Sequence, residues 1–254
     1  MKVLFIGNSH TYFNDMPQTF ADMCLKGAGE KTEVVMLAYS WKDLEWHMST
    51  EYFTVRFNIM YGGYDYCVIQ QAAHPFPGEE TTMKNTQRIA ELCRAAGTVP
   101  VVIETWAEKA YPEHQQLLSR ANREIASRAG ALLAPVGTIF EKLRCERPDI
   151  DLFWKDGEHA GPYGDLVIAS CLYRLAGGRE GWMSESADGE NRLKAAVFDN
   201  SARDFVSDMK LDFHHPRVLE NRTEIEVVLD PQKTEAVFAA VDEVMTKTEN
   251  KPER

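Results

Sequence analysis

The chain has 254 residues, with 28 Lys+Arg against 39 Asp+Glu, for a formal charge of −11 and a pI near 5.2. Its 44% hydrophobic and 26% charged residues are those of one or two globular domains and exclude a disordered or fibrous protein. The acidic balance argues against nucleic acid and anionic membrane as main partners, because both reward a basic face, and makes a small neutral molecule the expected ligand.

The N-terminal MKVLFIGNSH holds one Lys and a five-residue apolar stretch, far short of a leader or a membrane span, so a cytoplasmic protein is expected. Short apolar or β-branched runs then alternate with helical patterns. Strands are predicted at Lys2 to Gly7, Glu33 to Ala38, Tyr66 to Gln70, Val99 to Glu104 and Ala131 to Ala134. Between them, Met16, Phe20, Met23 and Cys24 share one helical face, as do Leu117, Ala121, Ile125 and Ala129. VLFIG and YCVIQ lack polar alternation, as strands buried on both faces do.

This alternation predicts an α/β fold with a mainly parallel sheet covered by helices on both sides. Pro162 to Leu175 reads as a buried helix with Pro162 in its first turn. Gly177, Gly178 and Gly181 lead into a charged stretch to about Asp212, and a last helix runs from about Pro231 to Met245. With no convincing linker, 1–254 is taken as one domain, with a motif-bearing core over about 1–177 and an extension of open role. Cys24, Cys67, Cys93, Cys145 and Cys171 have no CxxC spacing and read as reduced, mostly buried side chains.

In such a sheet, ligands bind at the carboxyl ends of the strands. Gly7-Asn8-Ser9-His10-Thr11 leaves the first strand, where a serine is exposed and the next helix's amides can face an oxyanion. Taken alone, these residues are more often turn or cap residues. Asp156-Gly157-Glu158-His159 lies just before the Pro162 helix. Asp and His three apart on a tight turn let the carboxylate hold Nδ1–H while Nε2 faces outward as a base. A solvated His at a helix entry is the alternative for that pair, and the two segments together are far more informative than either.

Together they resemble the SGNH hydrolase (GDSL-type esterase) superfamily. The resemblance is carried by GNS-x-T at the start, Gln70 at a strand end, Thr105-Trp106-Ala107, Pro135-Val136-Gly137 and Asp156 to His159, in order over about residues 1 to 177. It implies a three-layer α/β/α sandwich with a flavodoxin-like sheet, no cofactor and no metal. Residue by residue it makes Ser9 the nucleophile, His159 the general base and acid, and Asp156 the group orienting His159. The superfamily's oxyanion hole uses the serine amide, a glycine amide after the second strand and an Asn side chain after the third. Here the glycine is missing from Ala38-Tyr39-Ser40-Trp41-Lys42, so the Trp41 amide is expected to donate, with Ser40 the alternative. Gln70 replaces the Asn, with Gln71 not separable from it.

His10 follows the nucleophile and His74 lies on a strand-end loop, so both are candidates for substrate contact, though His10 is more often solvated or bonded to backbone. Of Trp41, Trp46, Trp106 and Trp154, core packing accounts for at least two, while Trp106 and Trp41 are expected at the pocket, where an indole stacks on a sugar ring. His214-His215 lacks a third ligand and reads as a surface pair. The expected function is hydrolysis of a short acyl ester, such as acetyl on a carbohydrate. A lipase- or thioesterase-like hydrolase of longer chains and a non-catalytic binding module are the alternatives. The expected partner is the small ester alone.

Overall fold

A computed structural model describes residues 1–178, 194–198 and 224–249. Five parallel strands form one sheet: β1 (Lys2–Gly7), β2 (Glu33–Ala38), β3 (Tyr66–Ile69), β4 (Val99–Ile103) and β5 (Leu132–Ala134). Their order is β2-β1-β3-β4-β5, and β1 is in register with β2 from Lys2↔Glu33 to Gly7↔Ala38. The order reverses direction at β1, leaving a crevice at the carboxyl ends of β1 and β3.

The period-two geometry of a strand explains the three layers. Val3 and Phe5 point to one side, packing on Met16, Phe20 and Met23 of α2 (Met16–Ala28) and on Ile168 and Leu172 of α8 (Pro162–Leu175). Leu4 and Ile6 point to the other, against α3 (Leu44–Ser49), α4 (Tyr52–Tyr61) and α5 (Glu79–Ala96) through Leu44, Met48, Val55, Ile59, Ile89 and Cys93. Full burial of one such side chain stabilises by about 1.5–3 kcal/mol. The sheet therefore reads as continuously apolar because both faces are covered. Cys24, Cys67, Cys93 and Cys171 are buried free thiols, and Cys145 is exposed.

The expected strands and the Pro162 helix are present, with small differences in bounds. β3 and β4 each stop one residue early, so Gln70 and Glu104 lie just past the ladder. The face expected on α6 (Gln115–Ala129) is corrected at its first residue. Leu117 is exposed, while Leu118, Ala121, Ile125 and Ala129 are buried. At ~100° per residue, Leu117 lies about a quarter turn off the face centred between Leu118 and Ala129.

After α7 (Val136–Glu146) and α8, β6 (Lys194–Phe198) pairs antiparallel with β7 (Glu224–Val228). The last helix, α9 (Pro231–Glu249), extends past the expected end at Met245. Its Val237, Phe238, Val241 and Met245 enter the α2–α8 core, Arg174 pairs with Asp242, and Lys142 bonds Glu243 at 3.0 Å. Part of the extension thus completes one helical layer. Gly181, most of the charged stretch to Asp212, and His214-His215 lie outside the described residues. Among the described residues, no helix is long and apolar enough to cross a membrane.

Candidate active site

Gly7 ends β1 where the crevice opens. A Cβ there would overlap Thr11 Oγ1 and come within 3.3 Å of Gln70 Cβ, so a residue without a side chain lets these segments converge. Asn8 then caps the short helix α1 (Ser9–Tyr12): its Oδ1 accepts from His10 N–H at 3.0 Å, and its Nδ2 donates to the Lys42 carbonyl at 3.2 Å. The cap expected of this segment is Asn8, which leaves the Ser9 hydroxyl free for other work.

That hydroxyl lies 2.9 Å from His159 Nε2, and His159 Nδ1 lies 2.8 Å from Asp156 Oδ2. Asp156 Oδ1 also accepts from the backbone N–H of Glu158 at 2.9 Å and of His159 at 3.0 Å. Burial pushes the Asp156 carboxyl up, but the His159 ring and these N–H groups outweigh it and hold it below the usual carboxylate range. An ionised carboxylate only accepts, so Nδ1 carries the proton, and Nε2 of the neutral ring accepts from Ser9 Oγ–H. The turn holding this arrangement is tight. Gly157 sits at φ 75, Trp154 N–H donates to the His159 carbonyl at 2.8 Å, and Gly157 O accepts from Lys109 N–H at 2.8 Å.

Phe13 stacks on the His159 ring, with centroids 4.3 Å apart at 21°, and His10 meets it edge-on at 4.5 Å. Phe13 is absent from the residues singled out in the sequence. Its contact spans 146 positions and leaves no local trace.

At the position lacking glycine, the backbone nonetheless adopts the left-handed conformation, with Trp41 at φ 61. The loop is tied down by Lys42 N–H on the Tyr39 carbonyl at 3.2 Å and by the Asn8 bond to Lys42. The Trp41 indole is 77% exposed, so it packs too little to offset that strain, which costs about 1–3 kcal/mol. Trp41→Gly is therefore expected to raise the unfolding free energy by about 1 kcal/mol, read by urea denaturation. A less stable variant would show that the indole is held by contacts worth more than the strain.

The two glutamines separate cleanly. Gln71 Oε1 accepts from Leu44 N–H at 3.2 Å and Ala72 N–H at 2.7 Å, and its Nε2 donates to Thr82 Oγ1 at 2.9 Å. Both ends of its amide are engaged, joining α3 and α5 to the end of β3. Gln70 Oε1 accepts from Thr11 Oγ1 at 2.7 Å, while its buried Nε2 has no protein partner.

Trp106 requires a correction. It is 1% exposed, stacks on Phe140 at 5.0 Å, and donates from Nε1 to the Glu158 carbonyl at 2.8 Å. It is a buried brace under the Asp156–His159 turn, not a rim platform for a sugar. The reason is the chain path after β4: Gln115 bonds both Ala107 N–H and the Thr105 carbonyl, drawing the segment inward.

His10 is also buried, with Nδ1 unpartnered, and its ring lies 5.4 Å from those of His74 and Trp106. Burial, then the His159 and His74 charges, hold His10 well below the ordinary histidine pKa. His74 has Nδ1 3.8 Å from Glu108 Oε1 and a buried, unpartnered Nε2; burial lowers its pKa too, against the Glu108 charge. Beyond the Asp156–His159 turn lies an open cavity of about 930 Å³, with Tyr111, Trp154, Tyr163, Asp156 and Glu158 on its walls.

No protein-family model matches the chain, and no curated protein matches it. Solved structures do. A protein from Slackia heliotrinireducens, an SGNH hydrolase by assignment, is 25% identical, with 69% of this chain and 98% of that one covered and a TM-score of 0.59. Axe2, an acetylxylan esterase from Geobacillus stearothermophilus, is 13% identical over 71% of this chain and 95% of its own, with a TM-score of 0.59. A GDSL-like lipase by assignment from Parabacteroides merdae is 16% identical over 69% and 95%, with a TM-score of 0.54. With this sheet order and the hydrogen-bonded Ser9, His159 and Asp156 at its carboxyl edge, the chain has the fold of the SGNH (GDSL-type) hydrolases it resembles.

Proposed function

We propose that the protein removes acetyl or another short acyl group from a carbohydrate or related polyhydroxylated alcohol, through an acyl-enzyme on Ser9. The observation that carries the reading is the unbroken chain of hydrogen bonds from Ser9 Oγ through His159 to Asp156. His159 Nε2 takes the Ser9 proton as Oγ attacks the ester carbonyl, and the same proton then goes to the departing alkoxide. Asp156 keeps the ring in the tautomer that can do this and stabilises the imidazolium. Water, activated by His159, releases the acid and restores Ser9.

The tetrahedral oxyanion would be held by the N–H groups of Ser9 and Trp41 and by Gln70 Nε2. Thr11 fixes the Gln70 carbonyl, so the amide nitrogen is the end left for a ligand. The Trp41→Gly variant keeps its turnover under this reading, because the peptide N–H is unchanged.

The preference for a short acyl group rests on the polar surroundings. Gln70 Nε2, His10 Nδ1 and His74 Nε2 are all buried without partners near the nucleophile. Gln70 Nε2 meets the oxyanion whatever the acyl length, but a long methylene chain packed here offers His10 Nδ1 and His74 Nε2 no partner, at about 1–3 kcal/mol apiece. Aromatic Trp154 and Tyr111 on the neighbouring cavity wall suit a sugar on the alcohol side. The acetylxylan esterase among the structural neighbours is consistent with this substrate class. We expect p-nitrophenyl acetate to be turned over with a kcat/KM at least about tenfold above that of the octanoate. A preference for octanoate would replace this reading with a long-chain esterase.

A further inference from the structure

Asn14 lies five residues after Ser9, is 2% exposed, and has a left-handed backbone at φ 51, followed by Asp15 at φ 57. Asn and Asp tolerate that region better than other side chains, but two in succession are uncommon and point to local constraints. The Asn14 amide uses both its hydrogens across the molecule: Nδ2 donates to the Ala160 carbonyl at 3.0 Å and to Asp165 Oδ2 at 2.7 Å. Ala160 directly follows His159, and Phe13, directly before Asn14, is the ring stacked on the His159 imidazole. One dipeptide thus touches both the ring of His159 and the main chain that carries it.

Asp165 sits in the first turn of α8 and is 1% exposed. Burial pushes its carboxyl well up, against the lowering effect of the Asn14 hydrogen bond. A buried acid, an amide and two left-handed residues are therefore all retained at one point, where the Ser9 segment meets the His159 turn.

We propose that Asn14 is a positioning residue that clamps the main chain of His159 to the Ser9 segment, through Ala160 and Asp165, so that Nε2 stays within reach of Ser9 Oγ. The proposal rests on the reading of Ser9 and His159 as nucleophile and base. A residue kept only because asparagine tolerates a left-handed turn would behave otherwise, and glycine separates the two. Asn14→Gly relieves the backbone while deleting the amide. A turn residue predicts unchanged kcat and equal or higher Tm.

The clamp predicts that folded Asn14→Gly loses about tenfold or more in kcat on p-nitrophenyl acetate, with KM within about twofold, because misplacing a base by an ångström is costly in rate. Asp165→Asn, which keeps a carbonyl acceptor of the same shape, retains kcat within about twofold under the same argument. The second readout does not depend on turnover: the low-field proton of His159 Nδ1–H, bonded to Asp156, is sharp in the wild-type NMR spectrum and broadened in Asn14→Gly. Wild-type kcat and a wild-type proton signal in Asn14→Gly overturn the clamp. If Asn14→Gly does not fold, Asp165→Ala takes its place, with the same kcat loss expected and wild-type kcat again overturning it. A wild-type protein without esterase activity fails the functional reading alone, and the proton signal then decides the clamp.

Discussion

In Ser9→Ala, kcat for p-nitrophenyl acetate is expected to fall by a factor on the order of 10⁴–10⁶, with the protein folded and KM little changed. The Ser9 hydroxyl lies 2.9 Å from His159 Nε2, so removing it takes away the atom that would form the acyl-enzyme. His159→Ala should cost about as much, and the double variant little more, because nucleophile and base act as one unit. A fluorophosphonate probe gives the same answer independently of any substrate. It should label Ser9 in the wild type and leave both variants unlabelled. An inert binding cleft would show neither turnover nor labelling, and a Ser9→Ala protein as fast as the wild type would sink the mechanism.

The second large effect is expected at Gln70. Removing one oxyanion donor typically costs a factor on the order of 10²–10³ in kcat, and Gln70→Ala should fall in that range. Alanine also strands the buried Thr11 hydroxyl, which costs about 1–3 kcal/mol of stability and confuses the result. Gln70→Glu avoids this. Its carboxylate still accepts from Thr11 but offers the oxyanion a negative oxygen where the N–H was, so a kcat loss at least as large is expected. Gln71→Ala is the control: three hydrogen bonds to Leu44, Ala72 and Thr82 are lost, so stability falls while kcat is far less affected than in the Gln70 variants. A Gln70→Glu enzyme with wild-type kcat would remove Gln70 from the oxyanion hole.

Two of the strands, β1 and β2, have the bounds expected from pattern alone, because a strand covered on both faces reads as an uninterrupted apolar run whatever its neighbours. The Asp156–His159 turn was equally legible. Its hydrogen bonds join residues two and three apart, so residue types and spacing carry the geometry. The pairing of that turn with Ser9 is what the resemblance to the SGNH hydrolases implies, and the 2.9 Å contact between His159 Nε2 and Ser9 Oγ agrees with it.

Other features depended on contacts between distant segments. Gln70 and Gln71 are adjacent and chemically identical, and only the positions of Thr11 on one side and of Leu44 and Thr82 on the other assign them different work. Trp106 reads as a pocket aromatic until Gln115 and Phe140 draw it inward. Leu117 and Leu118 differ by one residue, and the packing of α6 against its neighbours chooses between them. Trp41 adopts a glycine's conformation because the loop is anchored at both ends, and Asn14 does so where it spans to Ala160 and Asp165. Residue type and spacing were enough wherever a bond closes within a turn or a strand is buried on both sides. Which atom of a side chain is left free to meet a ligand was settled by tertiary packing, because the partners that occupy the other atoms lie up to 151 residues away.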